Sequence, residues 1–200
     1  MAFNVSDFRS QMVGDGARPN LFQCRIEGLP VTVGTKFSFM CRAAQLPGST
    51  VNQIPVNYFG RELKFAGNRT FTEWTVTIIN DEDFIVRNSM EKWMSDLNSH
   101  VGNIRNPNRV SPASYQSIAY ITQYGKANAD RAEVGKKSYK FVGIFPIDLS
   151  PIEMDWGAND TIEEFAVTFA YQWWEDYPAN TTDNDQPPVP AATAPVGFVA

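Results

Sequence analysis

The chain has few of the side chains on which enzymes and metal sites depend. Its 200 residues include two cysteines, Cys24 and Cys41, and a single histidine, His100. A structural zinc site needs about four ligands, and a Ser-His-Asp triad would have to rest on His100, whose neighbours indicate an exposed loop. Glycine-rich phosphate loops and the GxSxG elbow of hydrolases are also missing. The sequence therefore predicts no catalytic residue, no metal site and no cofactor.

Long hydrophobic runs and an excess of basic residues are missing as well. No apolar segment reaches the ~20 residues that cross a bilayer, and no basic start precedes an apolar core, so we expect neither a secretory signal nor membrane insertion, and a protein that folds in the cytoplasm. The chain has 17 basic and 22 acidic residues. Proteins that grip DNA usually carry a basic stripe, because phosphate neutralisation supplies most of the affinity. Tight DNA binding is not predicted.

Alternation of apolar and polar residues predicts a mainly β protein. Between residues 73 and 78 the even positions are apolar and the odd positions polar, as in a strand with one buried and one solvated face. Similar signals predict strands near 20–28, 36–43, 60–66, 117–124, 138–149 and 165–173. In the segment 138–149 the large apolar residues occupy odd-numbered positions. In the last predicted strand, the alternation of large apolar residues continues as far as Trp173. We expect two antiparallel sheets, arranged as a β-sandwich or half-open barrel.

One amphipathic helix accompanies the strands. Residues 82–98 place Val86, Met90, Trp93, Met94 and Leu97 on one face, and the acidic and amide side chains of 80–83 are suited to cap its start. Packing against the sheet explains this face better than a ligand groove. The predicted core consists of Phe22, Cys24, Ile26, Trp74, Val76, Ile78, Met90, Trp93, Phe165, Val167 and Phe169.

The two cysteines fit that core as small hydrophobic side chains. Cys24 is in phase with Phe22 and Ile26, and Cys41 is in phase with Phe37 and Phe39, so both are expected on inner faces of strands. A disulfide between them is possible but disfavoured in a reducing compartment.

The remaining segments predict turns, an arm and an extension around one domain, residues 1–175. Residues 1–16 suggest a short helix or an arm laid on a neighbour, and turns or loops are expected at 28–34, 67–68, 99–116 and 125–137. Residues 45–60 begin with a Pro-Gly turn and contain Pro55, which disfavours a central strand, so an extended loop or a protruding hairpin is expected. The proline-rich residues 176–200 cannot build a core, and we expect them to lie along the outside of this or a neighbouring subunit.

Four segments in this order resemble the tail tube proteins of contractile-tailed bacteriophages. They are ARPNLFQ at 17–23, FMCRAAQLPGSTVNQIPV at 39–56, PVNYFGRELKFAGNRTFTEWTVTIINDE at 55–82 and FPIDLSPIEMDWGANDTIEEFAVTFAYQWWE at 145–175. The resemblance implies a virion protein whose protomers pool strands into hexameric ring barrels. These rings would stack into the tube that conducts genomic DNA and the tape measure protein. It further implies contacts with the tail sheath, baseplate and tail terminator proteins, with the helix at 82–98 facing the sheath.

The resemblance also implies roles for particular residues. The segment 45–60 would reach the adjacent ring through Leu46, Pro47, Gly48, Asn52, Ile54, Pro55, Tyr58 and Phe59. Since DNA must pass without being held, we expect a neutral to acidic lumen wall formed by Gln23, Glu27, Glu73, Thr75, Thr77 and Thr168.

Three other interpretations stay open from the sequence. The chain could be the tube of a contractile injection or type VI secretion system, or a baseplate tube initiator of the same superfamily. A lipocalin-like barrel would instead enclose an apolar pocket within one subunit. An enzyme would require a deep pocket with converging polar groups.

Overall fold

The computed structural model describes residues 4–12, 16–126 and 135–177. Most of the predicted turn at 125–137 lies outside these residues, and so does the C-terminal extension apart from its first two positions. The strands of the described part are β1 (Phe22–Ile26), β2 (Cys41–Ala44), β3 (Ser49–Tyr58), β4 (Arg61–Phe71), β5 (Trp74–Ile79), β6 (Ser117–Tyr124), β7 (Gly135–Leu149), β8 (Glu164–Ala170) and β9 (Trp173–Tyr177). The helices are α1 (Val5–Gln11), α2 (Val31–Met40), α3 (Ile85–Leu97) and the single turn α4 (Pro112–Tyr115), with a 3₁₀ turn at Pro107–Arg109.

The main sheet is antiparallel and bends around its longest strand. Its order is β1-β6-β7-β8-β5-β2, with β9 also paired to β7. The first half of β7 pairs with β6 and β9, and its second half pairs with β8. Gly143 lies between the halves with a φ of 70°, where a Cβ atom would come within 2.8 Å of Gln172. This bend confirms the expected fold class, because it folds one continuous sheet into two facing halves.

The core fills the space between these halves. The Trp74 ring stacks on Phe141 from the facing half, with ring centroids 4.5 Å apart. Helix α3 adds the buried side chains of Val86, Met90 and Trp93, and the Trp93 indole N–H donates to the Tyr115 carbonyl at 2.9 Å. The side chains predicted for the core lie in it, except that Phe22 is half-buried at its margin.

The strand predicted near 36–43 is wrong, and so is most of the turn at 28–34. The turn is confined to the residues around Gly28, which has a φ of 76°, and α2 begins after Pro30. Val33 and Phe37 are both buried, which is the i,i+4 spacing of a helix, whereas Phe39 is exposed. The alternation of Phe37, Phe39 and Cys41 therefore misled the strand prediction, and β2 starts only at Cys41.

The turn predicted at 67–68 is also wrong. Gly67 lies inside β4, opposite an irregularity of β3 at Asn52, and a Cβ atom on Gly67 would come within 2.9 Å of the Asn52 carbonyl oxygen. Glycine is needed here because the partner backbone approaches closely. The reversal instead occurs at Phe59–Gly60, so residues 45–60 supply one strand of a protruding hairpin.

Three smaller expectations fail for local reasons. Register shifts in β7 break its single parity, so that Phe141 and Ile144 are buried while Ile147 is exposed. The last predicted strand stops at Ala170, and β9 starts separately at Trp173. Helix α3 lacks a side-chain cap at its N-cap residue, Phe84, which has a left-handed φ of 51°. Asp83 nevertheless accepts a hydrogen bond from the first helical amide, that of Ile85, at 3.2 Å.

Candidate assembly surfaces

Strands β3 and β4 form a two-stranded ribbon, residues 49–71, with one apolar and one polar face. Ile54 lies opposite Phe65, and Val56 lies opposite Leu63. Directly opposed residues share a face, and Tyr58 has the parity of Ile54 and Val56. The other face carries Gln53, Pro55, Asn57, Glu62, Lys64 and Ala66. The ribbon is therefore amphipathic, although this is visible only once the two strands are paired.

The apolar face of the ribbon is uncovered within the subunit. Every residue of β3 is exposed, and no third strand of the described chain is hydrogen-bonded to β3 or β4. Ile54 and Phe65 are each more than half exposed. An isolated two-stranded hairpin is marginally stable in water, and contiguous exposed apolar surface typically marks an interaction site. The ribbon therefore has the properties of an assembly element.

The tip of the ribbon is a two-residue turn with an exposed aromatic side chain. Phe59 and Gly60 both have positive φ, at 45° and 76°, as a type I′ hairpin turn requires. A non-glycine residue in this region is uncommon. Phe59 is 91% exposed, and its ring contacts only Tyr58 among the ring pairs of the described chain, at 4.5 Å. The tip thus presents a phenyl ring to solvent in a strained conformation.

The root of the ribbon is fixed to the main sheet. The Trp174 indole N–H donates to the Gly48 carbonyl at 3.1 Å, and the Phe71 ring lies 6.1 Å from Tyr171 and 6.4 Å from Trp174. Leu46, Pro47 and Gly48, which were predicted to belong to the inter-ring loop, therefore lie at its root. Asn52, Ile54, Pro55, Tyr58 and Phe59 lie along the ribbon or at its tip.

Four of the residues predicted for the lumen lie together on or beside β5 and β8. Thr75 and Thr168 are directly paired and their hydroxyl oxygens are 3.2 Å apart. Thr77 lies opposite Ala166, and Glu73 immediately precedes β5. Farther along, Arg42 and Glu164 form an ion pair. The threonines and Ala166 give this outer face small side chains, and its charged residues are one base, Arg42, and two acids, Glu73 and Glu164.

Gln23 and Glu27 lie on a different pair of strands. Gln23 lies on the outer side of β1, next to β6, and accepts a hydrogen bond from the Tyr124 hydroxyl at 2.7 Å, while Glu27 immediately follows β1. Burial raises the pKa of the Tyr120 hydroxyl to about 12, and the neighbouring Glu27 carboxylate adds to the rise. The sheet connects β1 to β5 only through several intervening strands, so the structure does not bring these two residues to the threonine face.

An ion cluster joins α2 to the start of α3. The Lys36 ammonium contacts the carboxylates of Asp81, at 2.5 Å, and Asp83. Hydrogen bonds from Lys36 lower the pKa of both carboxyl groups, and hydrogen bonds to them raise the pKa of Lys36. The cluster holds α2 against the segment that leads into α3.

The two cysteine side chains meet where β1 and β2 approach each other. Both are free thiols. A hydrogen bond with Cys41 and burial raise the pKa of the Cys24 thiol well above its usual range, so Cys24 carries little thiolate at neutral pH.

No reaction centre emerges from the described residues. They contain no group of three or more His, Cys, Asp or Glu side chains that could hold a metal ion. An open cleft of about 450 Å³ is lined by Leu97, Asn98, Asn103, Arg105, Tyr115 and Phe145, a set without a carboxylate, imidazole or thiol. None of the described helices has the length and hydrophobicity needed to cross a bilayer.

Sequence reasoning missed two exposed apolar features. Leu63 and Phe65 complete the apolar face of the ribbon, and their period-two spacing could have indicated this if the reversal had been placed at Phe59–Gly60. Trp156, in the loop between β7 and β8, is fully exposed. Its acidic, turn-forming neighbours were a usable signal for an exposed loop.

Comparisons with known proteins point to one family. Residues 8–176 match the family model described as "Phage tail tube protein". The chain is 37% identical over 162 residues to tail tube protein gp19 of Enterobacteria phage T4, a match that covers 81% of this chain and 93% of that protein.

Solved structures show the same fold at low sequence identity. A chain of the anti-feeding prophage baseplate superposes with a TM-score of 0.60 at 9% identity, covering 85% of this chain and all of that chain. A chain of the sheath-tube complex of the extracellular contractile injection system PVC superposes with a TM-score of 0.54 at 12% identity, covering 88% and 99%.

Proposed function

The chain belongs to the phage tail tube protein family and is a structural component of the virion, and we propose that its copies form hexameric rings that stack into the tail tube. Genomic DNA and the tape measure protein pass through the lumen of that tube. An eight-stranded barrel has room only for its own side chains or one small ligand, so a channel for duplex DNA requires several subunits that pool their strands. Closing the ring also covers the edges of the sheets.

The exposed apolar face of the ribbon is the observation that carries this proposal. Five large side chains on one face have no partner strand or helix packed over them in the described subunit. A second copy of the chain supplies the cover, and the ribbon reaches into the adjacent ring. Because the ribbon and the surface that receives it differ, the contact is heterologous and repeats from ring to ring, which is how a filament grows.

The threonine face of β5 and β8 is proposed as the lumen wall. Thr75, Thr77 and Thr168 offer small, uncharged side chains, and Arg42 is neutralised by Glu164. Each phosphate contact adds affinity that passage must overcome, so a wall of this kind lets DNA slide. Glu73 contributes at the edge of this wall. Gln23 and Glu27 lie on or beside another strand pair, β1 and β6, and are not part of this proposed wall.

The solved neighbours suggest which proteins surround the tube. Their chains come from a baseplate and a sheath-tube complex of contractile injection systems, and a further neighbour with a TM-score of 0.58 comes from a tube-terminating cap. By analogy this chain contacts tail sheath, baseplate and terminator proteins. The outer side of α3, which exposes Asn88, Glu91 and Lys92, is proposed to face the sheath.

A matched pair of substitutions tests the role of the ribbon. Ile54→Asp places a charge on the apolar face, whereas Gln53→Asp places the same charge on the polar face of the same strand. Electron microscopy of negatively stained purified protein should show rods for the natural sequence and for Gln53→Asp. Ile54→Asp should give rings or single subunits. Rods of both variants, or a natural protein that stays monomeric at high concentration, would overturn the proposal.

A further inference from the structure

The loop between β7 and β8, residues 150–163, presents a second exposed apolar surface. Met154, Trp156 and Ile162 are all more than 70% exposed, and Trp156 is completely so. The loop is held in a defined turn, since Asp155 accepts a hydrogen bond through its carboxylate from the Gly157 amide at 2.9 Å and through its carbonyl from the Ala158 amide at 3.2 Å. A tryptophan at the crest of an ordered turn is suited to anchor an interface.

Charge separates this loop from the other exposed apolar groups. Outside the ribbon, the other large apolar side chains of the described chain that are more than 60% exposed are on α1, on α2 and in the loop 101–110. Glu153, Asp155 and Asp160 of the β7–β8 loop are exposed, and the loop has no basic residue. The residues 4–12 around α1 contain one acid and one base, α2 contains only a lysine, and residues 99–111 contain arginines but no acid. The β7–β8 loop is therefore the acidic member of the set.

The ribbon has the opposite charge balance. It carries three cations, Arg61, Lys64 and Arg69, against one acid, Glu62. Arg61 follows the tip turn directly and lies opposite Tyr58 in the ribbon. An aromatic and cationic tip complements an acidic loop with an exposed indole, because arginine stacks favourably on tryptophan and pairs with carboxylates.

The topology places these two surfaces at opposite ends of the same strands. Trp74 pairs with Phe169 at the end of β5 where the ribbon emerges, and Ile79 pairs with Glu164 at the end where the β7–β8 loop enters β8. The two ends are separated by roughly 17 Å at the usual rise of a strand. Complementary surfaces at opposite ends of one element cannot meet within a subunit, but they meet between copies that stack head to tail.

We infer that the β7–β8 loop is the docking site for the ribbon tip of a neighbouring copy, with Trp156 as the anchor and its acidic residues facing Arg61. This inference rests on the proposed tube function and identifies the receiving surface of the inter-ring contact. It assigns a specific role to an exposed tryptophan that neither the core nor the lumen of the subunit uses.

Truncation of the anchor gives the first test. Trp156→Ala should raise the critical protein concentration for rod growth by at least about tenfold, as expected for loss of a central anchor. Val101→Ala removes an equally exposed apolar side chain from a basic loop and should change that concentration by less than about twofold. Circular dichroism should show native folding for both variants, since neither side chain is buried.

A charge exchange gives the second test. Arg61→Glu and Glu153→Lys should each weaken rod growth, and the double variant should regain at least half of the natural growth. Additive losses in the double variant, together with normal growth of Trp156→Ala, would overturn the inference. Normal growth of Trp156→Ala rods that no longer bind sheath subunits would assign the loop to the sheath instead, which also overturns it. If the natural protein forms no rods, the tube proposal itself fails.

Discussion

Assembly should slow the hydrogen exchange of the ribbon's backbone amides, which should be the least protected amides of the free subunit. In the free subunit, its backbone hydrogen bonds belong to an isolated pair of strands, and such hairpins open at little free-energy cost. The amides of β3 and β4 should therefore exchange with solvent deuterium nearly as fast as those of an unstructured peptide. Those of β5 and β8, which flank a buried core, should exchange slowly in subunit and tube alike.

The expected protection follows from the exposed side chains. Tyr58, Ile54, Val56, Leu63 and Phe65 are between 44% and 64% exposed. Full burial of one such side chain contributes about 1.5–3 kcal/mol, so covering the remaining half of all five contributes roughly 4–7 kcal/mol. If association costs about 4 kcal/mol, the low end of the usual range, the upper gain leaves roughly 3 kcal/mol, which slows exchange about 100-fold.

Deuterium uptake measured by mass spectrometry checks this expectation. Subunits kept below the critical concentration are compared with assembled rods, and peptides from β5 and β8 serve as the internal control. A 100-fold slowing confined to residues 49–71 and their docking surface agrees with the reasoning. Equal uptake by the ribbon in subunit and rod would refute it, because the apolar face would then stay uncovered in the tube.

Further predictions concern the core, the ion cluster and the lumen. Trp74→Ala should lower the free energy of unfolding by about 3–5 kcal/mol in urea titrations, whereas Thr75→Ala, on the outer side of the same strand, should lower it by less than about 1 kcal/mol. Lys36 depresses the pKa of Asp81 and Asp83 and has its own pKa raised. The cluster therefore stabilises the fold at pH values between 3.8, the ordinary pKa of the aspartates, and 10.5, that of the lysine. Its contribution is lost as pH falls through the depressed carboxyl pKa values. The stability difference between the natural protein and Lys36→Met should thus vanish in acid; a difference that persists once both carboxyl groups are protonated would contradict this assignment. Thr168→Lys should make rods bind duplex DNA in a salt-dependent manner in filter-binding assays, whereas Thr122→Lys on the β1–β6 side should not, and equal binding by both would argue against the assigned lumen face.

The sequence was most informative where one face of an element is fully buried. β5, β8 and α3 have uninterrupted alternation or helical spacing because Trp74, Phe169 and Met90 each face one common core. The sequence pattern led to a wrong prediction where the period of a strand and the period of a helix both fit the same residues. Phe37 satisfies both a strand with Phe39 and Cys41 and a helix with Val33, and only the packed structure shows that the helix prevails.

The assembly surfaces were harder to predict because they depend on pairing. The apolar face of the ribbon combines Ile54 with Phe65, and a single-strand pattern cannot reveal such a pair before the turn is placed. That turn was missed because Phe59 adopts a positive φ that glycine or asparagine usually provides. Outward-facing lumen candidates could be identified by parity, but parity could not show that Gln23 and Thr75 lie on different strand pairs.

Helical reconstruction of assembled rods by cryo-electron microscopy shows directly whether copies of this chain pool their strands. We expect hexameric rings in which strands of adjacent protomers hydrogen-bond into one closed barrel, with Thr75 and Thr168 facing the lumen. Protomers that touch only through loops, with the outer strands of their sheets unpaired at every subunit boundary, would contradict it.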